Sequence, residues 1–170
     1  MRKTILTLLL AILTLTTATA QNDVVSAKTA IEIFKGGDFV KAKATLTKQG
    51  YKYAGMANLN GSEFCFSKNV QLSKEFIPQS YSAGNSSVIM MSTAFDAKKV
   101  VAAKSDNSKV LSLYVYNQKA FAGLQSQVRQ LGYNIQREKD GSLLCTRDGE
   151  PTISFLRFEM PYPFCMMITE

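Results

Sequence analysis

Histidine and tryptophan are both missing from the 170 residues. Without histidine the chain lacks the usual general base, every imidazole-based dyad or triad, and nearly all common zinc sites. Cysteine occurs three times, at Cys65, Cys145 and Cys165, so at most one intramolecular bridge can form and at least one thiol is left over. Two readings stay open for these cysteines. They are small apolar packing residues, or Cys145 and Cys165 are bridged across neighbouring strands in an oxidising compartment. The glycines supply no phosphate loop. Glu63, Asp148, Glu150 and Glu159 are scattered and form no catalytic pair. Ser73-Lys74 lacks the spacing of serine–lysine enzymes, and Asp106-Asn107-Ser108 lacks that of a calcium loop. Arg147 lies two residues from Cys145, on the same strand face, placed to lower that thiol's pKa. Cys165-Met166-Met167 and Met90-Met91 offer soft ligands, but adjacent strand residues point to opposite faces and suit core filling better. The expectation is a chain with no catalytic residue, no metal and no cofactor.

Long apolar runs are also scarce. The longest opens the chain: Arg2 and Lys3 precede an apolar stretch from Ile5 to Leu13, and Thr17-Ala18-Thr19-Ala20 supplies small residues for cleavage. Residues 1–20 therefore read as a signal peptide, with Gln21 as the mature N-terminus and no cysteine there to carry a lipid. The expected location is periplasmic or secreted, at most peripheral to a membrane. Without Arg2 and Lys3 the chain keeps 18 basic and 13 acidic side chains, a net charge of +5. The lysines are spread out, so this is a solvated basic surface and nucleic acid is not an expected partner.

What is present is said twice. Phe39–Tyr51 reads FVKAKATLTKQGY and Phe121–Tyr133 reads FAGLQSQVRQLGY. Each places Gly-Tyr eleven residues after its Phe, and each is followed by a polar turn and Gly-Ser-x-x-Cys, ending at Cys65 and Cys145. Such self-similarity marks an internal duplication. Val24, Ala27, Ala30, Ile31 and Phe34 predict a helix over 23–35, with Asp38 capping the next one and Gly50 and Gly132 in left-handed C-terminal caps. After each Gly the period becomes two, with hairpin turns at Asn60-Gly61 and Asp140-Gly141. Further strands are expected at Ser87–Ala94, Lys109–Tyr116, Thr152–Glu159 and Phe164–Thr169. The first copy carries two insertions, Asn69–Asn85 and Asp96–Ser108, the second with a short helix through Ala97–Ala103.

The predicted fold is α+β, with two tandem repeats of helices followed by a four-stranded antiparallel sheet. The first repeat spans 21–116 and the second 117–170. Each sheet keeps one face for its helix and leaves the other open. On that open face Tyr114 and Tyr116 follow one another, and tyrosines suit contact with something other than water. They are the candidate partner-binding residues, together with Phe76 and Tyr81 in the insertion. The order of elements, carried by the Phe39–Tyr51 and Phe121–Tyr133 units and their Gly-Ser-x-x-Cys strands, resembles the beta-lactamase-inhibitor-protein-like fold. That resemblance implies a noncatalytic module that holds a protein on its open sheet face. The expected partner is a protein or a cell-envelope component. The alternative is a structural protein that self-associates through an edge strand, Phe164–Thr169.

Overall fold

The computed structural model describes residues 24–57, 62–82, 84–96 and 108–170. The leader, the Asn60-Gly61 turn and the helix expected through Ala97–Ala103 lie outside these residues.

Among the described residues three α-helices form where the apolar spacing places them. α1 (Ala27–Gly36) starts one turn later than the sequence pattern, because Ser26 caps it: its side chain accepts from the Thr29 N–H at 3.1 Å. α2 (Phe39–Lys48) is capped by Asp38, as expected, through the Lys41 N–H at 3.0 Å. α3 (Gln118–Gln130) is capped by Asn117 through the Ala120 N–H at 2.7 Å. The ends of α2 and α3 match residue for residue. Gly50 and Gly132 both have φ +84, and the following Tyr51 and Tyr133 amides reach back to the Leu46 and Val128 carbonyls.

Ten strands follow: β1 (Lys52–Ala57), β2 (Glu63–Lys68), β3 (Val70–Leu72), β4 (Pro78–Tyr81), β5 (Ser87–Ser92), β6 (Val110–Val115), β7 (Asn134–Arg137), β8 (Leu143–Thr146), β9 (Thr152–Arg157) and β10 (Phe164–Thr169). Eight of them make one antiparallel sheet in the order β1-β2-β5-β6-β10-β9-β8-β7, and β3-β4 stand apart as a hairpin. The two expected four-stranded units therefore run into a single sheet, joined where β6 pairs with β10. This corrects the expectation that Phe164–Thr169 is an edge. β10 is hydrogen-bonded to β6 on one side and β9 on the other, so its apolar character belongs to an interior strand. The outermost strands are β1 and β7.

The helices cover one face of this sheet. Phe64, Phe66, Ile89, Met91, Leu111, Leu113, Ile153, Phe155, Met166 and Ile168 point into that layer and meet Ile31, Phe34, Leu46, Phe121, Leu124 and Val128 from the helices. Phe39 stacks on Phe64 with ring centroids 4.0 Å apart, and Phe121 stacks on Phe164 at 5.0 Å. The two helices thus lie over different strands of their halves.

The Gly-Ser-x-x-Cys similarity does not survive as a structural register. Cys65 joins the face away from the helices, while Cys145 belongs to the helix side. Pairing explains it: Ile135 faces Cys145, whereas Tyr53, the residue at the same step after its Gly, faces Phe66. A bulge in β1 between Tyr53 and Gly55, absent from β7, shifts the register, and a one-residue slip moves a side chain to the opposite face.

Candidate functional site

The Asn69–Asn85 insertion is built as a hairpin folded over the second face of the sheet. Its turn is organised by Ser73. The Ser73 N–H donates to the Ile77 carbonyl at 2.8 Å, and its hydroxyl accepts from the Glu75 and Ile77 amides at 3.1 and 3.2 Å. That is the work of a serine in a turn, and it accounts for Ser73 beside Lys74. At the base, the Ser86 hydroxyl donates to the Asn69 carbonyl at 2.7 Å and accepts from the Ser82 amide at 2.8 Å. At the tip, Phe76 has φ +63, a conformation that a bulky side chain rarely adopts.

That conformation turns the Phe76 ring down onto Gly55, at the β1 bulge. A Cβ at Gly55 would lie 3.4 Å from the ring, so glycine makes the close approach possible. Val70, Leu72 and Phe76 then pack on Ala57, Cys65, Val88, Met90 and Tyr116. From the other half of the molecule, Tyr162 in the β9–β10 loop reaches the same layer. Its ring lies 4.7 Å from Tyr114, and its hydroxyl donates to the Phe76 carbonyl in a short hydrogen bond. Tyr81 stacks on Tyr116 at 4.3 Å, and its hydroxyl reaches Met160 Sδ at 3.8 Å. Hairpin and loop are thus tied to each other across the sheet.

The four residues singled out in the sequence come together here, but not as an exposed surface. Tyr116 is only 7% exposed and Tyr114 is half-buried, which corrects the expectation that both rings stand on an open face. They are the floor of a packed layer, because the insertion folds back over them. Phe76 is a half-buried anchor, and Tyr81, at 38% exposure, stands on the rim. Three further exposed apolar residues escaped sequence reasoning, Ile77, Phe158 and Met160, at 44, 52 and 59% exposure, and of these Met160 meets Tyr81. Tyr162 also escaped it, since Pro161-Tyr162-Pro163 read only as a turn. A signal for their exposure existed in Phe158 and Met160, large apolar residues placed just beyond a strand end.

The buried layer holds its thiols and phenols protonated at neutral pH. Burial pushes the Cys65 thiol up to about 12, with the nearby Glu63 carboxylate adding to it. Burial likewise raises Cys165 to about 12 and the Tyr114, Tyr116 and Tyr162 phenols well above the usual value. Glu63, half-buried beside Cys65, is itself raised by desolvation. Cys145 is pushed up to about 11 by burial, and the cation that opposes this is Arg129. Arg147, expected to activate Cys145, instead donates to the Leu131 carbonyl at 2.7 Å. The bridge between Cys145 and Cys165 is also corrected. All three cysteines are free, and these two lie on opposite faces with β9 between their strands. Met91 and Met166 point to the helix side, while Met90 is on the other face, as expected for packing residues. Among the described residues no group of three or more Cys, Asp or Glu is placed to hold a metal ion, and no helix is long and apolar enough to cross a membrane.

No protein-family model, curated protein or solved structure matches the chain.

Proposed function

We propose that this chain is an exported, non-catalytic binding module that holds a protein or cell-envelope partner at the second face of its sheet. The observation that carries this reading is the exposed pair Tyr81 and Met160, brought together from two separate segments with the Tyr81 hydroxyl 3.8 Å from Met160 Sδ, beside the packed Tyr114, Tyr116 and Tyr162 layer. Exposed apolar groups brought together in this way are a burden in water and an asset at an interface. The floor beneath them supports the reading, because rigid aromatic residues lose little freedom when a partner covers them. Buried thiols held protonated at neutral pH are poor nucleophiles, which favours binding over covalent chemistry. The resemblance of the element order to the beta-lactamase-inhibitor-protein-like fold points the same way.

The test is capture from native cell-envelope extract on the immobilised chain. A variant carrying Ile77→Ser, Phe158→Ser and Met160→Ser should lose the captured partner while its melting temperature stays within a few degrees of wild type, since exposed positions carry little stability. Capture at wild-type level by the triple variant would remove this surface from consideration.

A further inference from the structure

We propose that the β3–β4 hairpin is an internal latch, a removable cover whose opening uncovers Tyr114, Tyr116 and Cys65 while the eight-stranded sheet stays folded. It deepens the binding reading, on which its use rests, by naming how the tyrosine floor is made available.

Four observations set the cost of opening low and local. Among the described residues β3 and β4 pair only with each other, so lifting them breaks no ladder of the main sheet. A two-stranded ribbon is marginal by itself and depends on what it lies against. The cover is held at its tip by the Phe76 ring over Gly55 and the Tyr162 hydroxyl on the Phe76 carbonyl, and toward its base by Tyr81 on Tyr116 and the packing of Val70 and Leu72. The closed state also carries a penalty that opening relieves: among the described residues the buried Tyr116 hydroxyl has no hydrogen-bond partner. Local, sub-global opening is the expected behaviour of a segment that shares no ladder with the rest of the fold. The closed hairpin then limits a partner to the exposed rim, and opening adds the Tyr114 and Tyr116 floor to the surface on offer.

The cysteines report on the motion. Cys65 lies beneath the hairpin, while Cys145 is buried on the helix side and is reached only when the sheet itself opens. The intact chain is treated with N-ethylmaleimide under native conditions, and labelling is followed by peptide mass mapping. Cys65 should react at least tenfold faster than Cys145, as expected for a sub-global opening. Tyr162→Phe removes one hydrogen bond of the latch and should speed Cys65 labelling roughly fivefold, leaving Cys145 unchanged. Phe76→Gly keeps the backbone conformation accessible, removes the ring, and should speed Cys65 by tenfold or more. Equal rates at Cys65 and Cys145 in the wild type, or equal acceleration of both in the variants, would overturn the latch. Fast, selective Cys65 labelling with capture unaffected by the rim substitutions would keep the latch and remove the binding reading.

Discussion

Tyr51 and Tyr133 occupy the same step after matching helix caps, yet their hydroxyls are used differently. Tyr51 accepts the Val25 N–H at 3.1 Å and shares a 2.6 Å hydrogen bond with Ser87, all inside the protein. Among the described residues the buried Tyr133 hydroxyl has no hydrogen-bond partner. Buried polar groups cost most when a bond to them is removed from one side only. Tyr51→Phe strands the Val25 amide and the Ser87 hydroxyl, so it should destabilise by about 1–3 kcal/mol. Tyr133→Phe removes a group that gains nothing from folding and should stay within about 0.5 kcal/mol of wild type. Urea midpoints of the two variants decide it, and equal losses would mean that Tyr133 has a partner after all.

Among the elements, the hairpin depends on a glycine in another strand. Gly55 combines φ +124 with the Phe76 ring 3.4 Å from where a Cβ would stand. Gly55→Ala should therefore cost about 1–3 kcal/mol through backbone strain, and it should loosen the hairpin tip as well. Gly36→Ala, at the end of α1 with nothing within 4 Å, should be neutral or stabilise by up to about 1 kcal/mol. Thermal unfolding of the pair separates a conformational requirement from a general intolerance of substitution. The same contrast explains what the sequence disclosed. Asp38, Gly50 and Gly132 were legible because caps are local, set by one or two residues and their immediate amides. The limits of β10 were legible because a short apolar run bounded on its N-terminal side by Pro161 and Pro163 marks a strand. Its central position was not, since strand order depends on which distant segments meet. Nor was the burial of Tyr116, which is imposed by Phe76 and Tyr81 folding back from an insertion some forty residues earlier in the chain. The cysteine register failed for a smaller reason: one bulge in β1 turns a matching motif to the other face.

For the molecule as a whole, the seam between β6 and β10 makes one cooperative unit, and its buried acids set how that unit responds to alkali. Cys65 and Cys165 are held protonated up to about 12, and Cys145 up to about 11, all through burial. In the unfolded chain a thiol ionises near pH 8.5. Below that pH both states keep the proton and the full stability is present. Above it only the unfolded chain releases protons, so stability falls as pH rises, by about 1.4 kcal/mol per pH unit for each thiol. The fall continues until the folded thiols ionise in turn, and above about pH 10 the Tyr114, Tyr116 and Tyr162 phenols add to it in the same direction. Urea midpoints measured from pH 7 to pH 10.5 should be flat at first and then decline steeply. Cys165→Ala should make the decline about one third shallower between pH 9 and 10, whatever the substitution does to stability at pH 7. Because β10 lies between the two halves, far-ultraviolet circular dichroism and tyrosine fluorescence should report the same midpoint throughout. A flat profile to pH 10.5 would mean that water reaches the thiols in the folded state, and then the two sheet faces could not both be packed as the strand register requires.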